Sequence, residues 1–327
     1  MKIELKHGAG GEETGKLIGT LFAKHFANEI LNRMEDGAVL PKMQGNPVLT
    51  SDSFVVQPLF FPGGDIGRLA VCGTVNDLTC MGAKPLYLTA SFILETGLDL
   101  ADLEKIIVSM AATAQEAGVQ IVAGDTKVIE GKGGLYINTA GVGERAEGVH
   151  VSAKNLQVGD QIICTGTLGD HHAVILSSRL GIATQAQSDC APLNGMVAQL
   201  LQAGVVLHTV RDITRGGLAT VANELADSSQ VQIVLQEEAL PMSEPVKGLC
   251  GILGLNPLTM GNEGKLFIAV PKAQADRALQ IIRSTTYGKQ ATIIGEVKEG
   301  CGVYMENQLG SCRKILPLQG EGLPRIC

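Results

Sequence analysis

Apolar and polar residues follow one another along the chain with two periods, one typical of helices and one typical of strands. In residues 12–31, apolar side chains such as Leu17 and Leu21 lie four positions apart, which predicts an amphipathic helix. Residues 99–117 repeat this spacing behind Asp99, a residue type favoured as an N-cap. Between such segments, short apolar runs bounded by turn residues predict strands.

The pattern predicts helices at 12–31, 62–81, 99–117, 171–180, 191–203, 214–226 and 274–284. It predicts strands at 48–56, 86–94, 119–123, 135–142, 162–165, 205–209, 231–235, 265–270, 292–297 and 303–305. The polar turn at 154–160 separates two such series, so we expect two domains, 1–150 and 151–310, of an α/β fold of the α+β type. Proline and glycine recur after residue 311, so we expect 311–327 to be a mobile tail.

Composition and charge exclude several classes of protein. Of 327 residues, 45% are hydrophobic and 18% are charged, which excludes a disordered chain. A net charge of −7 argues against a nucleic-acid partner. The uncharged stretch 190–210 carries polar side chains and glycine breaks, so it favours a buried helix and strand over a membrane span. The N-terminus shows no apolar segment typical of a secretory signal, and we expect a cytoplasmic protein.

Three aspartates stand at or near the ends of predicted elements. Asp77 lies in a helix that is apolar nearly all round, and a buried carboxylate in such a place needs a partner or a cation. Asp52 and Asp125 accompany predicted strands, and each could equally cap a helix or close a turn. Carboxylates from separate elements are the ligands that Mg²⁺ uses when it also binds nucleotide phosphates. A magnesium–phosphate site is therefore one interpretation.

Glycine clusters accompany these acids. They are 8–11 (Gly-Ala-Gly-Gly), 63–64 (Gly-Gly), 166–169 (Gly-Thr-Leu-Gly) and 216–217 (Gly-Gly). Each can present backbone N–H groups to phosphate oxygens, although none matches a Walker A loop or a dinucleotide-binding turn. Any one of them fits an ordinary turn, whereas four together favour phosphate binding.

Four further residues each have more than one interpretation. Lys127 could contact a phosphate, accept a proton if burial lowers its pKa, or simply be solvated. Glu263, just before a predicted strand, is either a turn residue or a base, and Asp212 most simply begins a helix. Cys327 is the last residue, and a tail of about 15 residues could carry its thiol on the order of 50 Å. It suits a swinging arm, or it is an ordinary terminus.

Together, these segments resemble the HypE family of hydrogenase maturation factors, a branch of the aminoimidazole ribonucleotide (AIR) synthetase-like, or PurM-like, ATP-binding family. The resemblance rests on HGAGG at 7–11, TSDSF at 50–54, FPGGDIG at 61–67, TVNDL at 74–78, AGDTKV at 123–128, RDITRGGL at 211–218, GNEG at 261–264 and PRIC at 324–327. The terminal PRIC is its most specific part. The chain departs from the family at Ile213, where proline is frequent, and in a shorter turn at 131–134.

The resemblance implies a two-domain fold and a homodimer in which the N-terminal sheets pair into a barrel with ATP sites at the interface. It implies ATP and Mg²⁺ as cofactors, with the ion on Asp52, Asp77 and Asp125. It also implies nucleotide contacts from Gly8, Gly10, Gly11, Asp52, Asn76, Asp77, Asp125, Thr126, Gly166, Gly169 and Asp212. Cys327 would be the carrier, with Lys127 and Glu263 as candidate bases.

The implied reaction begins with a carbamoyl group that HypF loads onto Cys327. ATP-dependent dehydration converts this S-carboxamide to a thiocyanate, and the cyano group passes to iron held by HypC–HypD, as a ligand of the [NiFe]-hydrogenase site. Three rival interpretations remain: a selenophosphate synthetase, a small-molecule amide-activating synthetase and a non-catalytic scaffold. The first would need a reactive Cys near the N-terminal glycines, and the chain has none before Cys72.

Overall fold

The computed structural model describes residues 1–320, so Cys327 lies outside the described residues. The helices are α1 (Glu12–Leu17), α2 (Ala23–His25), α3 (Ile66–Cys80), α4 (Leu100–Ala117), α5 (Asp170–Leu180), α6 (Asn194–Gln202), α7 (Gly217–Ser229), α8 (Glu244–Leu253) and α9 (Ala275–Ser284). The strands are β1 (Asn46–Phe54), β2 (Phe60–Phe61), β3 (Gly64–Asp65), β4 (Lys84–Glu95), β5 (Gln120–Ile129), β6 (Leu135–Arg145), β7 (Asp160–Cys164), β8 (Thr209–Asp212), β9 (Gln232–Gln236), β10 (Leu266–Pro271), β11 (Thr292–Lys298), β12 (Gly302–Glu306) and β13 (Cys312–Ile315).

The N-terminal half is built on a four-stranded sheet in the order β1-β6-β4-β5. Its strands pair antiparallel except for the parallel pair β4–β5. Helices α3 and α4 pack together and cover one face of this sheet. The other face is left uncovered and carries Leu49, Ile93 and Ile129, whose side chains are 74%, 44% and 43% exposed.

The C-terminal half is built on a seven-stranded sheet in the order β13-β12-β9-β11-β7-β10-β8. One face packs on α7, and the other packs on α6 and α9. The central strands β7 and β10 are therefore buried on both sides, which explains their continuous apolar sequences. The boundary near residue 150 stays a prediction.

Helix α3 lies between the two halves. It contacts β1 and β6 of the first sheet and also β8 and α6 of the C-terminal half. Burial on every side explains why its sequence is apolar nearly all round. Asp65 begins the helix, because its Oδ1 accepts the N–H groups of Gly67 and Arg68 at 2.7 and 3.1 Å.

The first predicted helix is shorter than its apolar pattern suggests. Regular α-helix is interrupted by a π-helical turn at Ile18–Phe22 and ends at His25. Asn28 stops it, because its side-chain amide donates to the backbone oxygens of Phe26 and Ile121. Its oxygen accepts two backbone N–H groups that follow. A side chain that bonds to the backbone competes with helix.

Other differences concern strand ends. Strand β5 continues to Ile129, so the Asp125 segment lies inside an edge strand rather than after it. Helix α8 was not predicted. The segment expected to be mobile from residue 311 begins with β13, a short edge strand.

Within residues 1–320, no helix has the length and apolar character needed to span a membrane, and 190–210 includes helix α6 and the start of β8.

Candidate active site

Four carboxyl groups from separate elements meet where the two halves of the molecule join. We call them the acidic cluster: Asp52 on β1, Asp77 on α3, Asp212 at the end of β8, and Glu263 just before β10. Their charges act on one another: Asp212 and Asp52 raise the pKa of both Asp77 and Glu263. The sequence-predicted residues Asp52, Asp77, Asp212 and Glu263 are thus brought together by the fold.

A glycine in α3 lets strand β1 approach the helix. A Cβ on Gly73 would lie 2.8 Å from the ring of Phe54 and 3.5 Å from Oδ2 of Asp52. The ring contact is too short for a real side chain, so the position requires glycine. Asp77 follows one helical turn later, and the Thr50 hydroxyl donates to its Oδ2 at 2.8 Å. This close packing sets Asp52 and Asp77 side by side.

Burial is the main cause of the unusual acidity in the cluster. Burial, and next the charge of Asp212, raise the pKa of Asp77 to about 6. Burial likewise raises the pKa of Asp52, while Arg215 opposes the shift. The carboxylates repel one another, and Arg211 and Arg215 offset this repulsion only in part, since the pKa of all four groups stays raised. A cation brought in from solution would relieve this repulsion.

Glu263 is the most buried acid of the cluster, with 4% exposure. Burial raises its pKa well above the usual range, and Asp189 and Asp212 add to the shift. Among the described residues its Oε1 has no hydrogen-bond partner. A buried carboxyl oxygen without a partner is costly, so this oxygen is suited to a bound group that donates a proton or carries positive charge.

Asp125 does not join the cluster within one chain. The sheet register aligns Asp52 with Thr139, Thr139 with Ala90, and Ala90 with Gly124, so three strand spacings separate Asp52 from the Asp125 segment. At about 4.8 Å per strand this is roughly 14 Å, too far for a shared ion. Within residues 1–320, no group of three acids, cysteines or histidines is arranged to hold a metal ion. Asp52, Asp77 and Asp125 therefore do not share an ion within one chain, and their assignment to one Mg²⁺ stays a prediction that requires Asp125 from a second copy.

The remaining pair still suits Mg²⁺. This ion is commonly held by one or two carboxylates, and substrate phosphates and water complete its shell. Asp52 and Asp77 supply two neighbouring carboxylates whose repulsion Arg215 and Arg211 offset only in part. The donor set therefore fits a magnesium ion that arrives with a nucleotide.

Asp125 and Lys127 form an exposed ion pair on β5, where Nζ lies 2.7 Å from both carboxylate oxygens. The hydrogen bond from Lys127 lowers the pKa of Asp125. By strand alternation both residues lie on the uncovered face of the first sheet, with Ile129. An exposed, paired ammonium is better suited to contact a phosphate than to accept a proton, which favours the first interpretation of Lys127.

A cavity of about 340 Å³ lies beside this pair. Its apolar wall comes from residues around the π-helical turn, including Phe22 and Phe26, and from Phe92. Its polar side comprises Gly8, Gly10, Thr14, Glu35, Asp36, Asp125, Thr126 and Lys127. Apolar walls with a few polar groups at one end are typical of small-molecule sites.

The glycines divide into two sets. Gly8 packs on β5, since a Cβ there would lie 2.6 Å from the Val128 nitrogen, and Gly11 is the N-cap of α1. Gly10 has φ +80°, a left-handed conformation that favours glycine. By contrast, the N–H of Gly169 already donates to Asn262 Oδ1 at 2.7 Å. Gly166 packs against the Lys265 side chain. Only the first set borders the cavity.

The Asn76 side chain is hydrogen-bonded to the backbone of the C-terminal half. Its Nδ2 donates to the Ala191 and Glu263 oxygens at 3.0 and 3.4 Å, and its Oδ1 accepts the Leu193 N–H at 2.9 Å. The amide thus joins α3 to the C-terminal half, and both of its N–H groups are already engaged. A nucleotide contact by Asn76 stays a prediction, and it would have to use the amide oxygen as an acceptor.

Comparison with known proteins identifies the family. Residues 34–145 match the family "AIR synthase related protein, N-terminal domain", and residues 157–306 match "AIR synthase related protein, C-terminal domain". The chain is 48% identical over 331 residues to the carbamoyl dehydratase HypE of Azotobacter vinelandii, with 99% of this chain and 97% of that protein covered. The chain belongs to the HypE family.

Solved structures of the HypE family agree with this fold. A crystal structure of HypE in complex with ATP superposes with a TM-score of 0.95 at 44% identity, covering 99% of each chain. HypE in a HypE–HypF complex superposes with a TM-score of 0.82 at 47% identity, covering 92% of this chain and 99% of that one. The predicted two-domain, PurM-like fold is confirmed.

Proposed function

We propose that the chain is an ATP-dependent carbamoyl dehydratase that converts an S-carboxamide on its own Cys327 to a thiocyanate, the source of the cyanide ligand of [NiFe]-hydrogenase. The observation that carries the proposal is the acidic cluster, in which Glu263 keeps a buried oxygen with no hydrogen-bond partner among residues 1–320, close to Asp52 and Asp212. Family membership and the ATP complex of a HypE relative agree with it.

Asp52 and Asp77 would hold Mg²⁺ through their carboxylates. Bound there with ATP, the ion would neutralise phosphate charge, so that the carboxamide oxygen can become a phosphorylated leaving group. The cavity beside β5 would receive the nucleotide, with its aromatic wall facing the base and Gly8, Gly10 and Lys127 facing the phosphates.

A homodimer would bring these two parts together. In one chain the cavity and the acidic cluster lie on opposite edges of the four-stranded sheet. The uncovered face of that sheet carries Leu49, Ile93 and Ile129, and Asp125 and Lys127 lie on the same face. Pairing this face with a second copy buries the apolar side chains and sets the partner subunit's Lys127 at the interface.

Leu49→Glu is expected to yield monomers, as measured by sedimentation, because it places a charge on this apolar face.

The described part of the tail supports the role of Cys327 in its own chain. The Ile315 oxygen accepts from Nδ2 of Asn223 at 3.1 Å, and the Leu318 N–H donates to the Thr220 hydroxyl at 3.2 Å. Residues 315–318 therefore run along α7 towards its N-terminal end, the end that follows Asp212 in the chain. Nine further residues reach Cys327, and an extended chain of that length spans about 30 Å.

Dehydration removes the carboxamide oxygen as phosphate and both protons from its nitrogen; the departing phosphate takes up one proton and a protein base takes up the other. Glu263 is the group we assign as proton acceptor, at Oε1, because this oxygen is buried and unoccupied. A carboxyl with a raised pKa is a stronger base, once ionised, than an ordinary carboxylate. Closure of the site around the tail would exclude water, which would otherwise hydrolyse the activated intermediate.

The partners follow from the same chemistry. A HypE relative forms a complex with HypF, and we assign HypF to this chain as the donor of the carbamoyl group. The product must then be delivered to iron, and HypC–HypD is the acceptor that the family resemblance implies.

Mass spectrometry tests the reaction directly. Protein carbamoylated on Cys327 is incubated with MgATP, and the peptide that ends in Cys327 is expected to lose the mass of one water. Cys327→Ala should form no product while it binds ATP as before, as measured by calorimetry. An unchanged mass in the presence of bound ATP would refute the dehydratase, and cyanated C327A protein would show that another cysteine is the carrier.

A further inference from the structure

We propose that Asp189 is a positioning residue that fixes Glu263 through its backbone and thereby aims the Glu263 carboxyl into the acidic cluster. This inference rests on the proposed function, because it gives Asp189 a role in the step assigned to Glu263. Asp189 precedes Cys190 in the chain, and its side chain is 3% exposed. No motif in the sequence marks it.

Three donors of one short segment converge on the Asp189 carboxylate. The N–H of Glu263 donates to Oδ1 at 3.2 Å, and the N–H of Gly264 donates to Oδ2 at 3.2 Å. The Lys265 Nζ lies 3.3 Å from Oδ2 and balances the buried charge. One carboxylate thus holds three consecutive residues in a fixed orientation.

Close packing makes this arrangement specific. A Cβ on Gly264 would lie 1.8 Å from the backbone oxygen of Asp189, so only glycine allows the two segments to approach so closely. The glycine after Glu263 therefore serves the contact with Asp189.

The other side of Glu263 is held from the N-terminal half. Nδ2 of Asn76 donates to the Glu263 backbone oxygen at 3.4 Å, while the same amide bonds to Ala191 and Leu193. The N–H and C=O of Glu263 are therefore both engaged, and its Oε1 is left without a partner among the described residues. A fixed backbone with a free side-chain oxygen is what a preorganised proton-transfer group requires.

A double-mutant cycle tests the inference. Asp189→Asn keeps the shape but removes the charge and replaces one acceptor oxygen by an NH₂ group, so one backbone N–H loses its partner. We expect the single-turnover dehydration rate of D189N to fall roughly 10- to 100-fold, with the KM for ATP within about twofold of the parent. In an E263Q background, the same substitution should cause no further loss beyond about twofold.

Asp160→Asn is the matched control. Asp160 is buried in the same half and accepts from the backbone of Gln157 and from His208, without contact to Glu263. Any loss in D160N should be the same in both backgrounds. If D189N does not fold, as judged by thermal melting, Asp189→Ser takes its place in the cycle.

The outcomes separate the two claims. If D189N lowers the rate by the same factor whether residue 263 is Glu or Gln, Asp189 does not act through Glu263. The inference then fails while the proposed function stands. If E263Q alone keeps the parental rate, Glu263 is not the proton acceptor, and both the inference and that part of the proposed function fail. A loss in D189N that appears only as a higher KM for ATP also overturns the inference.

Discussion

The acidic cluster and the Asp125–Lys127 pair both contain aspartate carboxyl groups, but the two regions place them in opposite surroundings. In the cluster, burial and neighbouring carboxylates raise the pKa of Asp77 to about 6. On β5, the hydrogen bond from Lys127, whose Nζ lies 2.7 Å away, lowers the pKa of the solvent-exposed Asp125. In the first region two arginines balance the acids only in part, whereas in the second region the lysine pairs with the aspartate directly.

This difference indicates which region depends on a ligand. Buried carboxylates whose charge is only partly balanced reduce stability until a further cation binds, whereas an exposed ion pair contributes little to stability. We therefore expect the cluster to respond strongly to divalent ions, and the β5 pair to matter for binding more than for folding. Four predictions follow this contrast, from the largest effect to the smallest.

Asp77→Asn should reduce the dehydration rate roughly 100- to 1,000-fold, because a preorganised ligand for the phosphate-bound cation is lost. The same change removes repulsion from the cluster, so the melting temperature without ligands should not fall. Single-turnover mass spectrometry and calorimetry measure the two quantities. Full activity in D77N would remove the cluster from the mechanism and favour a non-catalytic scaffold.

Divalent cations should stabilise the folded protein through Asp52 and Asp77. At a free Mg²⁺ concentration 100 times the dissociation constant, binding adds about 2.7 kcal/mol to the free energy of unfolding. Thermal melting with and without Mg²⁺ measures this effect, which should vanish in D77N. It should persist in D125N, the matched exposed variant, and its loss there would place Asp125 at the ion.

The two aspartates should have opposite effects on the pH dependence of stability. The folded pKa of Asp77, about 6, exceeds the ordinary 3.8, so the folded state holds this proton more tightly than the unfolded state. Its contribution to the free energy of unfolding therefore falls as pH rises from about 4 to 6. For Asp125, whose folded pKa is lowered, the contribution is present above pH 3.8 and is lost as pH falls through the folded pKa.

Chemical denaturation across this pH range, without metal, measures both slopes. D77N should flatten the decline between pH 4 and 6, and D125N should leave that decline unchanged. A decline that is identical in D77N and the parent would mean that another group of the cluster, such as Asp212, causes it.

The smallest effect is expected from Lys127→Met. This change removes an exposed ion pair, so the free energy of unfolding should change by less than about 1 kcal/mol. The KM for ATP should nevertheless rise, because a cation beside the cavity is lost. A large loss of stability in K127M would show that the β5 pair supports the fold.

Much of the fold follows from periodicity and capping. Helix α4 runs from Leu100 to Ala117, between Asp99 and Gly118, as its pattern predicts. The helix predicted at 12–31 is the counter-example, because its apolar spacing continues beyond His25 while Asn28 bonds to the distant Ile121 oxygen. Local patterns do not reveal such a long-range competitor.

The site was only partly predictable. Asp77 is recognisable in the sequence as a charged residue within an apolar helix, but the sequence also predicts that its neighbour Asn76 contacts the same nucleotide. Successive helical residues lie about 100° apart around the axis, so they face different surroundings. Asp189 gave no signal, because its role consists of contacts with residues more than 70 positions away.

By itself, the sequence determined that this is a two-domain α/β chain with acids, glycines and a terminal cysteine suited to nucleotide chemistry, since these features depend on residue type and local spacing. The tertiary structure decided which acids meet. Sheet order alone separates Asp125 from Asp52 by three strand spacings, and packing between α3 and the C-terminal half leaves Glu263 buried, with an oxygen that has no partner among residues 1–320. Distances between residues that are remote in sequence depend on how the elements pack, and local sequence patterns do not determine this packing.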